Sequence, residues 1–185
     1  MAIADPDLRL PPDAVRGRIF TLMFHLTAAM RKKADDRLTI ERVIADNFQD
    51  LLLLIEGLAK FEKLAPPDEA AKRRLRRDVL SKNPRCEAYL GRLGSKYVAY
   101  VIFYFTYSSF HALPNLYLED LFVLEEYRRR GIGQAMFDFC VKRARKEGCG
   151  RIEFTVLDWN KPAQRFYEKN DAEKTNWYFY RMELK

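Results

Sequence analysis

Apolar positions along the chain recur at two spacings, and the switches between them outline the elements. Leu38–Val43 alternates and predicts a short strand. Phe48, Leu51, Leu52, Ile55, Leu58 and Ala59 then fall on one face of a helix, with Asp46 as its predicted N-cap. Pro66-Pro67 breaks the chain, and a basic helix is predicted over 68–81 with Leu75 and Val79 turned inward. Asn83-Pro84 marks the next loop. Cys86–Arg92 and Tyr97–Tyr107 predict two strands across the turn Leu93-Gly94-Ser95-Lys96, and Leu116–Leu124 a third. Ile132, Ala135, Met136, Phe139, Cys140 and Ala144 return to helical spacing until Gly148. A strand over Arg151–Leu157, a helix over Asn160–Lys169 and a closing strand over Trp177–Leu184 complete the pattern. Upstream, Asp13 can cap a helix whose stripe is Val15, Ile19, Leu22, Met23, Leu26 and Met30. Residues 1–37 thus read as an extension with one extra N-terminal helix, and 38–185 as one domain. The order β-α-α-β-β-β-α-β-α-β predicts an α/β (α+β) fold, a mixed central sheet flanked by helices.

Composition narrows the class. With 185 residues, 48% of them hydrophobic, the chain can bury a sizeable core. No apolar run is long enough to span a bilayer, and Met1–Pro6 lacks the basic-then-apolar pattern of a secretion signal, so a cytoplasmic protein is expected. Cys86, Cys140 and Cys149 are odd in number and lack metal-ligand spacing with His25 or His111, so no metal is expected. The net charge of +7 is compatible with an anionic cofactor, nucleic acid or simple solubility. The densest run, Lys72-Arg73-Arg74-Leu75-Arg76-Arg77, has no interleaved aromatics and reads as a solvated helix face, which makes nucleic acid an unpromising partner.

The stretch Tyr127-Arg128-Arg129-Arg130-Gly131-Ile132-Gly133 lies between a predicted strand and a predicted helix. Unpaired N–H groups and the dipole at a helix start favour anions, and glycines let a phosphate reach the backbone. No Gly-Lys-Ser/Thr follows, and the dinucleotide glycine spacing is incomplete. A phosphorylated cofactor fits this turn; so does a plain basic turn before a helix.

Arg128-x-x-Gly131-x-Gly133 resembles the Arg/Gln-x-x-Gly-x-Gly/Ala signature of the GCN5-related N-acetyltransferase (GNAT) superfamily. Other stretches are similar to its diamine acetyltransferase branch, the spermidine/spermine N1- and thialysine N-epsilon-acetyltransferases. They are Leu58-Ala59-Lys60-Phe61-Glu62-Lys63-Leu64, Tyr104-Phe105-Thr106-Tyr107-Ser108, Tyr117-Leu118-Glu119-Asp120, and Val156-Leu157-Asp158-Trp159-Asn160 followed by Phe166-Tyr167. The resemblance runs in order over residues 38–184, and its first and last stretches look more like the thialysine branch. It implies the GNAT fold, acetyl-CoA as co-substrate, a small amine as acceptor and a homodimer. The pyrophosphate would lie on the turn Arg128, Arg129, Arg130, Gly131, Ile132, Gly133 and Gln134. The pantetheine arm would pair with Leu121, Phe122 and Val123, and Asn160, Pro162 and Ala163 would flank the cofactor's far side.

Acetyl transfer to an amine requires a neutral amine, donors for the carbonyl oxygen and a proton for the leaving thiolate. The resemblance gives Tyr167 the acid role, and Glu119 the base role, directly or through water. On a regular strand Glu119 shares its face with Tyr117, Leu121 and Val123, and Asp120 takes the other. A cationic acceptor calls for carboxylates and aromatic walls. Glu62, Glu119, Asp120 and Asp158 supply the first, Phe110 and Trp177 the second. Ser108 and Phe110 stand where the spermine branch carries aspartate and tryptophan, and the loop before Trp177 is shorter and lacks an acidic pair. These departures favour a shorter diamine or thialysine-like amine over spermine. Asn170-Asp171-Ala172 replaces the usual Gly-Ala, so Asn170 or Asp171 is expected to take a left-handed turn. A peptide or protein amine as acceptor, or a non-catalytic binding module, are the other readings.

Overall fold

Five strands form one sheet in the spatial order β1-β2-β3-β4-β5 in a computed structural model, which describes residues 37–184. They are β1 Leu38–Arg42, β2 Glu87–Leu93, β3 Lys96–Ser108, β4 Leu113–Val123 and β5 Arg151–Glu153. The first four form antiparallel neighbours, and β5 pairs parallel to β4. Four helices cover the faces: α1 Phe48–Glu62, α2 Glu69–Leu80, α3 Ile132–Lys146 and α4 Lys161–Glu168. The predicted helix over 13–31 and the extension that carries it lie outside the described residues.

The sheet is buried on both sides, which is why β3 reads as a nearly continuous apolar run. One core joins α1 and α2 to the sheet through Phe48, Leu51, Leu54, Val79, Leu90, Tyr100 and Phe122. The other packs α3 residues Ile132, Met136, Phe137, Cys140 and Ala144 on Val101, Phe103, Leu116 and Leu118. Each fully buried Leu or Phe is worth about 1.5–3 kcal/mol, so these two clusters fix which way every strand faces. Cys140 is fully buried, and burial pushes its thiol up to about 12, consistent with a core role.

Several expectations need correction. The N-cap of α1 is Asn47, not Asp46. The Asn47 carboxamide accepts from the Ile44 N–H and donates to the Arg42 carbonyl, so it serves the loop out of β1. β5 ends at Glu153 rather than Leu157, because β4 and the following chain separate there. Trp177–Leu184 forms no strand. Its alternation suits one, but it pairs with none of the five strands, and Trp177 and Tyr180 are 86% and 88% exposed. Asp68 caps α2, accepting from the Ala71 N–H at 2.7 Å.

Candidate active site

The site begins where the sheet splits. β4 pairs with β3 from end to end, but with β5 only over Asn115–Tyr117. The outer edge of β4 from Leu118 to Val123 therefore has no strand partner among the described residues. Its outward backbone groups can take an extended, amide-bearing ligand as an added strand.

Beyond Val123, a 3-10 turn over Glu125–Tyr127 leads to Arg128 and the start of α3. Arg129 (φ 59°) and Gly131 (φ 77°) are left-handed. A Cβ at Gly131 would meet nothing within 4 Å, so glycine is there for its backbone freedom rather than for space. The first helical bond runs from the Ala135 N–H to the Gly131 carbonyl. The N–H groups of Ile132, Gly133 and Gln134 precede it and lack an intrahelical acceptor, leaving a cradle for an anion. Arg128, Arg130 and Gln134 have partners of their own within the fold. Arg128 donates from Nε to the Val123 carbonyl at 3.0 Å, and its guanidinium stacks over Phe61 and Phe122. Arg130 lies over the Tyr127 ring. Gln134 exchanges hydrogen bonds with Asn170 at 2.6 and 3.2 Å.

A β-bulge sets the acidic side. Ile102 pairs with Asp120 and Phe103 with Leu118, so Glu119 is an extra residue with no partner on β3. The bulge corrects the alternation expected from sequence. Leu116 and Leu118, then Leu121 and Val123, all face α3, whereas Phe122 joins the core under α1. Glu119 is exposed rather than set in an apolar row. Asp120 turns toward α1 and accepts from the Tyr100 hydroxyl at 3.2 Å. Burial first, and then the Glu119 and Glu62 charges, push the Asp120 carboxyl up to about 7 despite that bond. Burial also raises Glu62, the last residue of α1. Burial chiefly raises Tyr104 and Cys86, and Glu119 lies close enough for its charge to add to both. Glu62, Glu119 and Asp120 thus form one acidic cluster, and such a cluster suits a cation that can share or give up a proton.

Tyr167 sits in α4 against α3 and the chain after β5. Its ring lies 4.1 Å from Phe154 and 5.6 Å from Phe137, centroid to centroid. Burial raises its phenol well above the usual range, with smaller contributions from Cys140 and Asp120. Tyr167 is therefore protonated at neutral pH and within electrostatic reach of Asp120. Asn160 caps α4, accepting from the Ala163 N–H at 3.2 Å, with Pro162 in the first turn. Asp171 takes the left-handed turn after α4 (φ 59°), and the Ala172 N–H closes it on the Tyr167 carbonyl. Trp177 and Phe110 are exposed and not brought to the cluster; Phe110 is 97% exposed.

Sequence reasoning missed Tyr100, because the Glu119 bulge shifts the register that brings it to Asp120. It also gave no role to Phe61 and Trp159, whose rings meet at 5.5 Å. Both lie in stretches already singled out, Leu58–Leu64 and Val156–Asn160, so their recurrence in those stretches was the available signal.

An N–H cradle beside an open strand edge fits a phosphorylated donor carrying an amide-linked arm. A protonated phenol and a carboxylate titrating near 7 fit transfer of its acyl group to an amine. The comparisons agree with this chemistry. Residues 54–171 match the family model described as Acetyltransferase (GNAT) family. Thialysine N-epsilon-acetyltransferase of Mus musculus is 32% identical over 72% of this chain and 85% of its own length. L-ornithine N5-acetyltransferase NATA1 of Arabidopsis thaliana is 40% identical over 52% of this chain and 43% of its own length. Among solved structures, AAC(6')-Iy in complex with the bisubstrate analog CoA-S-monomethyl-acetylneamine aligns with a TM-score of 0.64 at 16% identity, over 80% of this chain and 99% of that one. No helix among the described residues is long and apolar enough to cross a membrane. With the split sheet, the glycine turn and the family match together, this chain belongs to the GNAT acetyltransferase family and is an acetyl-CoA-dependent N-acetyltransferase.

Proposed function

We propose that the acceptor is the primary amine of a small diamine, polyamine or thialysine-like amino acid, with the shorter ones preferred. The cluster of Glu62, Glu119 and Asp120 beside the open edge of β4 carries this reading. Three carboxylates close enough to feel one another's charge attract a cation, and the raised Asp120 is close to half-ionised at neutral pH. The relatives named for thialysine and L-ornithine, both amino acids with a terminal side-chain amine, support the same class.

Acetyl-CoA supplies the thioester acyl group. The N–H groups from Arg129 to Gln134 would hold its pyrophosphate, and Leu121–Val123 would hold its amide arm. Glu119, with Asp120 beside it, would take the proton from the acceptor ammonium, directly or through water. The Tyr167 phenol, protonated at neutral pH, would protonate the departing thiolate. Holding both reactants in one opening removes any need for a covalent enzyme intermediate.

The test is a panel of thialysine, ornithine, short diamines, spermine and peptides with acetyl-CoA, read by thiol release and product mass. Turnover on the short amines is expected. Turnover on peptides alone would overturn the proposal in favour of a peptide or protein N-acetyltransferase.

The proposal extends to a homodimer, supported by the exposed apolar run Trp177–Leu184. It places the enzyme in the cytoplasm, supported by the free thiols Cys86, Cys140 and Cys149. It also treats residues 1–37 as an extension of the catalytic domain 38–185, on the sequence pattern alone.

A further inference from the structure

Arg128 opens the family's cofactor signature, yet its side chain is engaged by β4 and α1. Its Nε–H bonds the Val123 carbonyl at 3.0 Å, at the last residue of β4. Its guanidinium carbon lies 4.6 Å from the centre of the Phe61 ring and 5.7 Å from that of Phe122. Phe61 is one residue from Glu62 at the end of α1, and its other neighbour is Trp159, 5.5 Å away in the loop before α4. Helix α1 is already held tightly at this point. A Cβ at Gly57 would come within 3.1 Å of the Phe122 ring, so helix and strand approach as closely as glycine allows. Lys63 (φ 59°) then ends the helix, and the Leu64 N–H returns to the Ala59 carbonyl. One guanidinium thus joins the end of β4 to the acidic end of α1, and Phe61 carries the contact on to the loop before α4.

We infer that Arg128 is a positioning residue: it clamps Phe61, and with it Glu62, against the end of β4, so the turn that seats the cofactor also sets the acceptor pocket. The inference rests on the proposed acceptor role of Glu62. A planar cation is needed for this arrangement. Arginine can lie flat on Phe61 while aiming Nε at a carbonyl, whereas lysine offers a point charge with neither geometry. A phosphate ligand would behave differently, because lysine can replace arginine as a countercharge.

The test compares Arg128→Lys and Arg128→Met in a Trp177→Phe background, which leaves Trp159 as the only tryptophan. Three readouts are taken: the Kd of CoA by calorimetry, KM and kcat for the best amine, and Trp159 emission with acrylamide quenching. The expected result is the same for both variants. CoA affinity changes less than about threefold, amine KM rises about tenfold or more, and Trp159 becomes more accessible to quencher. Phe61→Leu is expected to reproduce that pattern, and Arg128→Met/Phe61→Leu to be no worse than either single change.

Weakening of CoA binding by about tenfold in Arg128→Met, restored by Arg128→Lys, would show a phosphate ligand and overturn the inference. Additive losses in the double variant, or unchanged amine KM and quenching in every variant, would overturn it too. Should Arg128→Met fail to fold, Phe61→Leu decides alone through amine KM and quenching. CoA binding and quenching need no acceptor. A wrong acceptor class would therefore appear as no turnover on any amine in the unaltered enzyme, separate from the clamp.

Discussion

Two side chains of the site carry protons that their surroundings hold in unusual places. Tyr167 is kept protonated by burial. Replacing it with phenylalanine is expected to lower kcat by about 10²-fold or more, the usual worth of a positioned acid, while CoA affinity measured by calorimetry persists. Unchanged kcat would remove Tyr167 from the acid role. Asp120 is raised to about 7, mainly by burial and then by Glu119 and Glu62. Its folded pKa lies above its unfolded one, so the folded protein holds the extra proton between the two values. Stability contributed by this group is then greatest at low pH and falls as pH rises from about 4 to 7. Asp120→Asn should accordingly raise the melting temperature at pH 8, by an amount that shrinks toward pH 4. The same variant should lose the limb near 7 in a plot of kcat/KM against pH. A melting curve with the same pH dependence as the parent would contradict this. Neither shift is readable from sequence, because burial depends on which residues the register brings together.

At the level of elements, Gly131 is the position where backbone and ligand demands coincide. With φ at 77° and open space around it, Gly131→Ala should fold at a cost of about 1 kcal/mol. CoA affinity should drop with it, because the cradle N–H groups are aimed by that dihedral. Calorimetry checks the second part and thermal melting the first. The glycine turn was legible in the chain because chemistry and spacing lie in one short stretch. The α1 and α3 stripes were legible because each faces a single core. The acidic site was only half legible. Glu62, Glu119 and Asp120 could be named, but the face of Glu119 could not, since one unpaired residue in β4 reverses the alternation after Leu118. The closing strand was misread for a related reason. Alternation at 177–184 describes a segment suited to pairing, but a strand also requires a partner, and 177–184 pairs with none of the five strands.

For the whole molecule, that segment is the feature that a single copy leaves unused. Trp177, Tyr178, Phe179, Tyr180, Met182 and Leu184 are all largely exposed, more apolar surface in one run than a monomer ordinarily carries. Removing residues 177–185 is expected to convert a species of twice 21.9 kDa into one of about that mass by light scattering. If the full chain already scatters as a monomer at micromolar concentration, the dimer is wrong. The clamp at Arg128 and the carboxylate cluster, by contrast, lie within one copy. The bulge in β4 also has a genetic reading. Counted along the ladder, β4 carries one residue more than the facing stretch of β3 needs, and the surplus residue is Glu119. Strike out its codon and Leu118 and Asp120 become neighbours on the faces they already occupy. A single inserted codon is therefore enough to separate a plain meander from one that presents two adjacent carboxylates at its open edge.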